Sequence, residues 1–324
     1  MSKAANWMAS KGYSFSDLGV IEDSTQQFLA GGHYAVEIPV INSINELELT
    51  VKFLQDESVF VSRFNETHGS HLMRDSEVIE ILQLCKETGY GFIFGLGPRP
   101  EYDVKATFYR SEFGLEMGRR NNNLDAIRQS IDEAIRLSEL GCRGLTVYDE
   151  GVLRILRDMR NEGSLPSDLI FKTSTHMMCA NPWIANIFHE NGANSVTTAH
   201  DLGVPTLAEM RKINPGLILD VPTDVYKSKG GFVRFYEIET IIAKASPVVL
   251  KMGASAQGHP YDSVSKSVVL KRAERVAVGL ELLDKTCHSF KRVSKEEANL
   301  CIPVDAHLFR HQTSVDHYSQ EIAG

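Results

Sequence analysis

The sequence predicts a single (β/α)₈ barrel of the TIM type, and three observations carry that prediction. Short apolar, β-branched runs alternate with helical stretches from about residue 33 to about residue 285. The runs number eight, the count at which right-handed strand–helix units favour closure over an open sheet. The chain's 324 residues exceed the roughly 250 of a typical barrel. No GxGxxG follows the first run, which removes the usual signature of the open, doubly wound alternative.

The runs, in order, span Tyr34–Val40, Val59–Phe64, Gly91–Gly95, Arg143–Tyr148, Leu169–Ser174, Ser195–Ala199, Leu217–Val221 and Pro247–Lys251. Each intervening helix carries its own punctuation. Asp75 opens one that Gly89 closes, glycine being the residue that best tolerates a left-handed helix end. Leu124, Ile127, Ile131, Ala134, Ile135 and Leu137 repeat at helical period, and Gly141 ends that stretch. Asn181-Pro182 starts the next helix with proline at its first position. Pro205 opens another, Pro215-Gly216 closes it, and the last runs from about Val268 to Asp284.

The whole chain, 1–324, reads as one domain: a barrel core of about 33–285, an N-terminal extension and an irregular tail, 286–324. The extension is expected to cover one end of the barrel. The tail has no strong period and is rich in His and charge. It is expected to pack outside the barrel or to reach a partner subunit, which would make a homo-oligomer. The insert 98–123 is longer than a plain connection and is a candidate lid.

Composition narrows the function classes. A formal net charge of -8 makes the chain as a whole a poor polyanion binder, so nucleic acid is not an expected partner. No run of about 18 apolar residues occurs, so no membrane span is expected. The first fifteen residues hold no long apolar stretch, so no signal peptide is expected either. Five cysteines at wide spacings, with no CxxC, fit neither a disulfide framework nor a four-cysteine zinc site. A reducing cytoplasm fits best.

Chemistry in a barrel sits at the C-terminal ends of the strands. Reading each run outward gives Glu37; Arg63, Asn65, Glu66, His68 and His71; Tyr148, Asp149 and Glu150; Lys172, Ser174 and His176; His200 and Asp201; Asp220 and Asp224; and Lys251. Period-two alternation puts Lys172, Ser174 and His176 on one face, and turns Lys172, Asp220 and Lys251 into the barrel. Buried charges must pair with one another or with a ligand, so a satisfied polar layer inside the barrel is the bland alternative.

Four chemistries compete for these residues. Lys172 and Lys251 can bind an anion or, desolvated beside a second cation, become nucleophilic amines for Schiff-base formation. His176 or His200 would then move protons. Glu150, His176, His200 and Asp220 stand at the ends of consecutive strands and form an alternative divalent-metal set for Zn, Mn, Fe or Mg, although no HxH or HExxH spacing anchors it. The stretch Lys251–His259, with Gly253 and Ser255, is a candidate anion cradle, to which Arg63 and Lys227 or Lys229 could add charge. Arg63, Asn65, Tyr148 and Ser174 complete the candidate substrate contacts. Lys227–Gly231 is a second candidate lid, and Cys179 a weak candidate nucleophile. No nucleotide-cofactor motif is present.

Residues from about Leu124 to Lys251 also carry a resemblance. The segments LSELGCRGLTVYDEGVLRILRDM, FKTSTHMMCANPWIANIFHENGANSV and TAHDLGVPTLAEMRKI resemble the bacterial collagenase-like peptidase family of unassigned catalytic type. Ser174, Thr175 and Asn181 match its strand–loop–helix pattern, and His176 stands where the family often has glutamine. The resemblance implies a barrel, and activities that range from peptidases to members acting in anaerobic ubiquinone or RNA hydroxylation with iron–sulfur clusters. The family's cysteine-rich signature downstream of the barrel is absent, so no iron–sulfur cluster is expected.

Three functions follow. The first is an enzyme of lyase, aldolase or hydrolase type, acting on a small polar substrate that bears carboxylate or phosphate. The second, implied by the resemblance alone, is a peptidase or peptide-modifying enzyme. The third is a non-catalytic scaffold whose charges only pair internally.

Overall fold

The computed structural model describes residues 2–15, 21–96, 120–121, 123–260 and 263–306. Eight parallel strands form a closed barrel: β1 (Tyr34–Pro39), β2 (Arg63–Asn65), β3 (Gly91–Gly95), β4 (Gly144–Val147), β5 (Ile170–Thr173), β6 (Ser195–Thr197), β7 (Ile218–Pro222) and β8 (Val248–Lys251). Helix α1 (Lys3–Ser10) precedes them. The helices that follow β1 to β8 in turn are α2 (Ile44–Asp56), α3 (Asp75–Thr88), α4 (Leu124–Glu139), α5 (Glu150–Asn161), α6 (Pro182–Glu190), α7 (Val204–Ile213), α8 (Ile238–Ala245) and α9 (Lys266–Thr286).

Local chemistry sets the helix ends. Asn181 accepts the backbone N–H groups of Trp183 and Ile184 through its side chain, and Pro182 begins α6. Gly89 ends α3 in the left-handed conformation, at φ 74°. The strands alternate as period two requires. Val36, Phe64, Phe92, Leu145, Phe171 and Leu250 point outward into the core shared with the helices. Their neighbours point into the barrel.

The start of the second strand differs from the sequence expectation. Pairing begins at Arg63, not at Val59. Phe60 is drawn off by the tail, where the Arg292 guanidinium lies 5.5 Å from its ring.

The position of the tail corrects the expectation that it packs outside. Residues 291–304 run under the N-terminal mouth of the barrel and close it. His33 N–H donates to the Lys291 carbonyl at 2.7 Å, Phe92 N–H to that of Cys301 at 3.1 Å, and Val304 N–H to that of Gly141 at 3.1 Å. Leu300 and Val293, with Phe28 from the N-terminal extension, cover the inward-facing Ala35, Ile218 and Val249. Cys301 covers Ile93 and Ile170. The fit is close: a Cβ on Gly91 would stand 1.5 Å from the Leu300 carbonyl oxygen. An open barrel floor of small aliphatic side chains must be covered by something apolar, and the tail provides it. The extension shares in covering that end, as expected.

The insert 98–123 lies outside the described residues apart from Arg120, Asn121 and Asn123, and so do tail residues 307–324. Among the described residues, no helix is long and apolar enough to cross a membrane.

Candidate active site

Above the apolar floor, the barrel interior turns polar. Glu37, from the middle of β1, lies level with Arg63 on β2 and with Lys251 on β8. Lys172 lies between Thr146 on β4 and Ser195 on β6, and Asp220 pairs with Thr197. The inward parity of Lys172, Asp220 and Lys251 is as the sequence indicates.

Glu37 is the hub. Arg63 Nε donates to its Oε2 at 2.8 Å, and Lys172 Nζ donates to both its oxygens at 2.5 and 2.6 Å. Arg63 Nη2 donates to Asp220 Oδ2 at 2.7 Å, and Lys172 Nζ is 3.2 Å from the same oxygen. Arg63 Nη1 donates to the Asn299 carbonyl of the tail at 2.6 Å. Lys172 Nζ also donates to Asn65 Oδ1 at 3.2 Å. These four charged side chains are fully buried, and they satisfy one another as buried ions must. Burial alone would raise the Glu37 pKa, but Lys172, Arg63 and Lys251 outweigh it and hold the carboxyl well below the usual range. Burial likewise opposes the Arg63 charge, and Asp220 and Glu37 reverse that.

Lys251 is different. Its Nζ is 3.6 Å from Glu37 Oε1, beyond a good hydrogen bond, and its side chain keeps 14% of its surface exposed. Burial, and then the charge of Lys172, bring its pKa down to about 8, against the pull of Glu37 and Asp220. The network therefore holds three cations, Arg63, Lys172 and Lys251, to two carboxylates, Glu37 and Asp220. The surplus positive charge is the one that faces the mouth.

That mouth is a pocket at the strand C-termini. Its floor is Asn65, Thr146, Lys172, Thr197 and Lys251. Its walls include Tyr148, Ser174, His176, His200, Tyr226 and Lys229. His200 is mostly buried; burial, then Lys251 and His176, bring its pKa down to about 4, so it is a neutral imidazole near pH 7. His176 stacks on Tyr148, with ring centroids 6.3 Å apart, and Ser174 Oγ accepts its backbone N–H.

Several expected site residues do other work. Arg63 is not a substrate contact; it is sealed below the pocket between Glu37, Asp220 and the tail. Gly253 and Ser255 are not an open anion cradle. Their N–H groups both donate at 2.8 Å to the Asp224 carboxylate, and Ser255 Oγ adds a third bond at 2.5 Å. Gly253 sits at φ 103°, where a Cβ would come within 2.7 Å of Arg272 Cγ, so its lack of a side chain serves packing. An internal carboxylate thus fills the place the sequence suggested for a ligand. Asp224, missed in that role, also lines the pocket.

The four expected metal ligands do not come together. Arg120 holds Glu150 through two bonds, at 2.6 and 2.9 Å, and Asp220 lies within the ion network. Only His176 and His200 reach the pocket. Among the described residues, no three His, Cys, Asp or Glu side chains gather into a metal-ion site. Cys179 is fully buried, and burial pushes its thiol up to about 12, which leaves it protonated and unreactive. Backbone N–H groups of Lys227 and Ser228 donate to the carbonyls of Gln257 and Gly258, which ties the second candidate lid to the neighbouring loop. Thr146 and Thr197 lie outside the residues the sequence points to, although their inward parity is as clear as that of Lys172.

No family model matches this chain, and no curated protein does. Among solved structures, it is similar to a U32 peptidase at 14% identity, over 74% of this chain and 97% of that one, with a TM-score of 0.42. It is similar to N-acetylneuraminate lyase from Mycoplasma synoviae at 11% identity, over 78% and 77%, with a TM-score of 0.41. A 2,3-dimethylmalate lyase, a member of the PEP mutase/isocitrate lyase superfamily, is 9% identical over 79% and 81%, with a TM-score of 0.44. These likenesses extend to the barrel alone.

Proposed function

We propose that this barrel is an enzyme of lyase or aldolase type that forms an imine between Lys251 and a small carbonyl compound bearing an anionic group. The observation that carries the reading is the contrast between the two barrel lysines. Lys172 is enclosed and bonded on all sides, whereas Lys251 is an accessible amine with a pKa near 8. An amine with a pKa brought down toward working pH supplies the neutral nucleophile such a step needs. Lys172 supports it electrostatically.

In the step, Lys251 Nζ adds to the carbonyl carbon, and the carbonyl oxygen leaves as water. The iminium then takes up the electrons released at the adjacent carbon, which either loses a proton or is cleaved from its next carbon, that fragment leaving as an aldehyde as its hydroxyl proton is removed. Water then adds to the imine and frees the amine. Both His176 and His200 line the pocket, and His200, neutral near pH 7, would take or return the proton.

The test is reductive trapping with cyanoborohydride in the presence of pyruvate, glyoxylate or glyceraldehyde 3-phosphate, with the modified residue located by mass spectrometry. Lys251 is expected to be labelled ahead of every surface lysine, and Lys251→Met to abolish that label. Labelling confined to surface lysines would sink the reading.

A further inference from the structure

We infer that the pocket floor recognises a carboxylate attached directly to the reacting carbonyl, and that Thr197, with Thr146, is the recognition element. The substrate class is then a 2-oxo carboxylate. This rests on the imine reading for the reacting carbonyl, but not for the carboxylate contact itself.

Thr197 is the last residue of β6 and faces the barrel interior. It is fully buried, it lines the pocket, and its Oγ1 has no hydrogen-bond partner among the described residues. A buried hydroxyl without a partner is costly unless something in the cavity completes it. Thr146 stands across β5 from it, one residue before the end of β4, and also lines the pocket. Its Oγ1 already accepts from Asn65 Nδ2 at 3.1 Å. A hydroxyl whose acceptor role is taken still has its hydrogen to donate. Two O–H donors therefore flank the Lys172 column, below the open face of the pocket.

The ligand's chemistry follows from what the floor offers and what it lacks. Three cations stand against two carboxylates in the layer beneath, so an anion is favoured there. The donors are hydroxyls, which suit the two oxygens of a carboxylate. A phosphate would call for a nest of backbone N–H groups, and the N–H groups of Gly253 and Ser255 are already bonded to Asp224. Because the hydroxyls share the floor with Lys251, the carboxylate must adjoin the carbon that the amine attacks.

Two measurements on the full chain test this. The first is the calorimetric Kd of oxamate, a pyruvate isostere that forms no imine. Thr197→Val is nearly isosteric and is expected to weaken oxamate about tenfold or more, while Thr197→Ser restores binding. The second is the trapping rate on Lys251 with pyruvate and with hydroxyacetone, its neutral analogue. Thr197→Val should slow pyruvate about tenfold and leave hydroxyacetone within about twofold. A melting curve confirms that each variant is folded. Unchanged oxamate affinity in folded Thr197→Val, or equal slowing of both ketones, overturns the inference. If oxamate binding depends on Thr197 while no ketone labels Lys251, the carboxylate site stands and the imine reading falls.

Discussion

Lys251 and His200 show how one pocket shifts two basic groups in the same direction for related reasons. Each loses hydration, and each sits beside positive charge, so the neutral form of each is favoured. For Lys251, the neutral fraction should follow a pKa of about 8 rather than 10.5. The rate of imine trapping is therefore expected to rise with pH and level off above about pH 8. A rise that continues to pH 10 would show an ordinary lysine. Lys172→Met removes the like charge and frees Glu37 to face Lys251, so it should move the same profile to higher pH. Breaking this buried ion pair costs roughly 3–5 kcal/mol, so the profile is measured only on protein shown to be folded. For His200, the consequence is a stability effect. Its pKa falls from 6.5 to about 4 on folding, so between those values the unfolded chain binds the extra proton. Stability is then lost as pH falls through that window, by up to roughly 3 kcal/mol at about 1.4 kcal/mol per pH unit. Urea unfolding of the parent and of His200→Gln at pH 7 and pH 4.5 checks this. The variant should lose visibly less stability on acidification, and equal losses would place the acid sensitivity elsewhere.

At the scale of elements, the turn after β8 shows where sequence reading reaches its limit. Lys251-Met-Gly-Ala-Ser has the glycine and hydroxyl pattern of an anion cradle, and an anion is indeed held there. That anion is the carboxylate of Asp224, which arrives from the loop after β7, and no spacing within the turn could reveal it. Burial raises the Asp224 pKa, against the bonds from Ser255 and Gly253 that favour its charged form. Asp224→Ala would strip the acceptor from two N–H groups and one hydroxyl. A loss of about 1–3 kcal/mol is expected, read as a lower urea midpoint. Added sulfate or acetate should recover part of it by binding the vacated donors. No change in the midpoint would mean that the turn is held by other contacts. The strands tell the opposite story. Period-two alternation was sufficient to turn Lys172, Asp220 and Lys251 inward, because a parallel barrel leaves each side chain only two directions. What alternation could not supply was partner choice. It left Arg63 as a substrate contact, when Glu37, Asp220 and the Asn299 carbonyl enclose it.

For the molecule as a whole, the barrel has a reactive mouth and a sealed floor, and the seal comes from a segment whose sequence carries no regular period. Residues 291–304 bind through backbone bonds and a few apolar anchors, a pattern that neither helical nor strand periodicity exposes. Leu300 is the central anchor. It is buried against Ala35, Ile218 and Val249, and its carbonyl fills the space over Gly91. Its two sequence neighbours are Cys301, which covers Ile93 and Ile170, and Asn299, whose carbonyl accepts from Arg63, and Arg63 itself links the floor to the ion layer. Leu300→Ala removes the anchor side chain and leaves the backbone bonds in place. It is expected to cost about 2–5 kcal/mol, the range for large-to-small changes at packed sites, read from urea unfolding at neutral pH. Because the ion layer and the pocket lie above the floor, folded Leu300→Ala should label Lys251 at a rate within about twofold of the parent. A stability change under about 0.5 kcal/mol would show that the tail does not seal the floor. Lost labelling in folded protein would show instead that the floor and the reactive amine are coupled through Arg63.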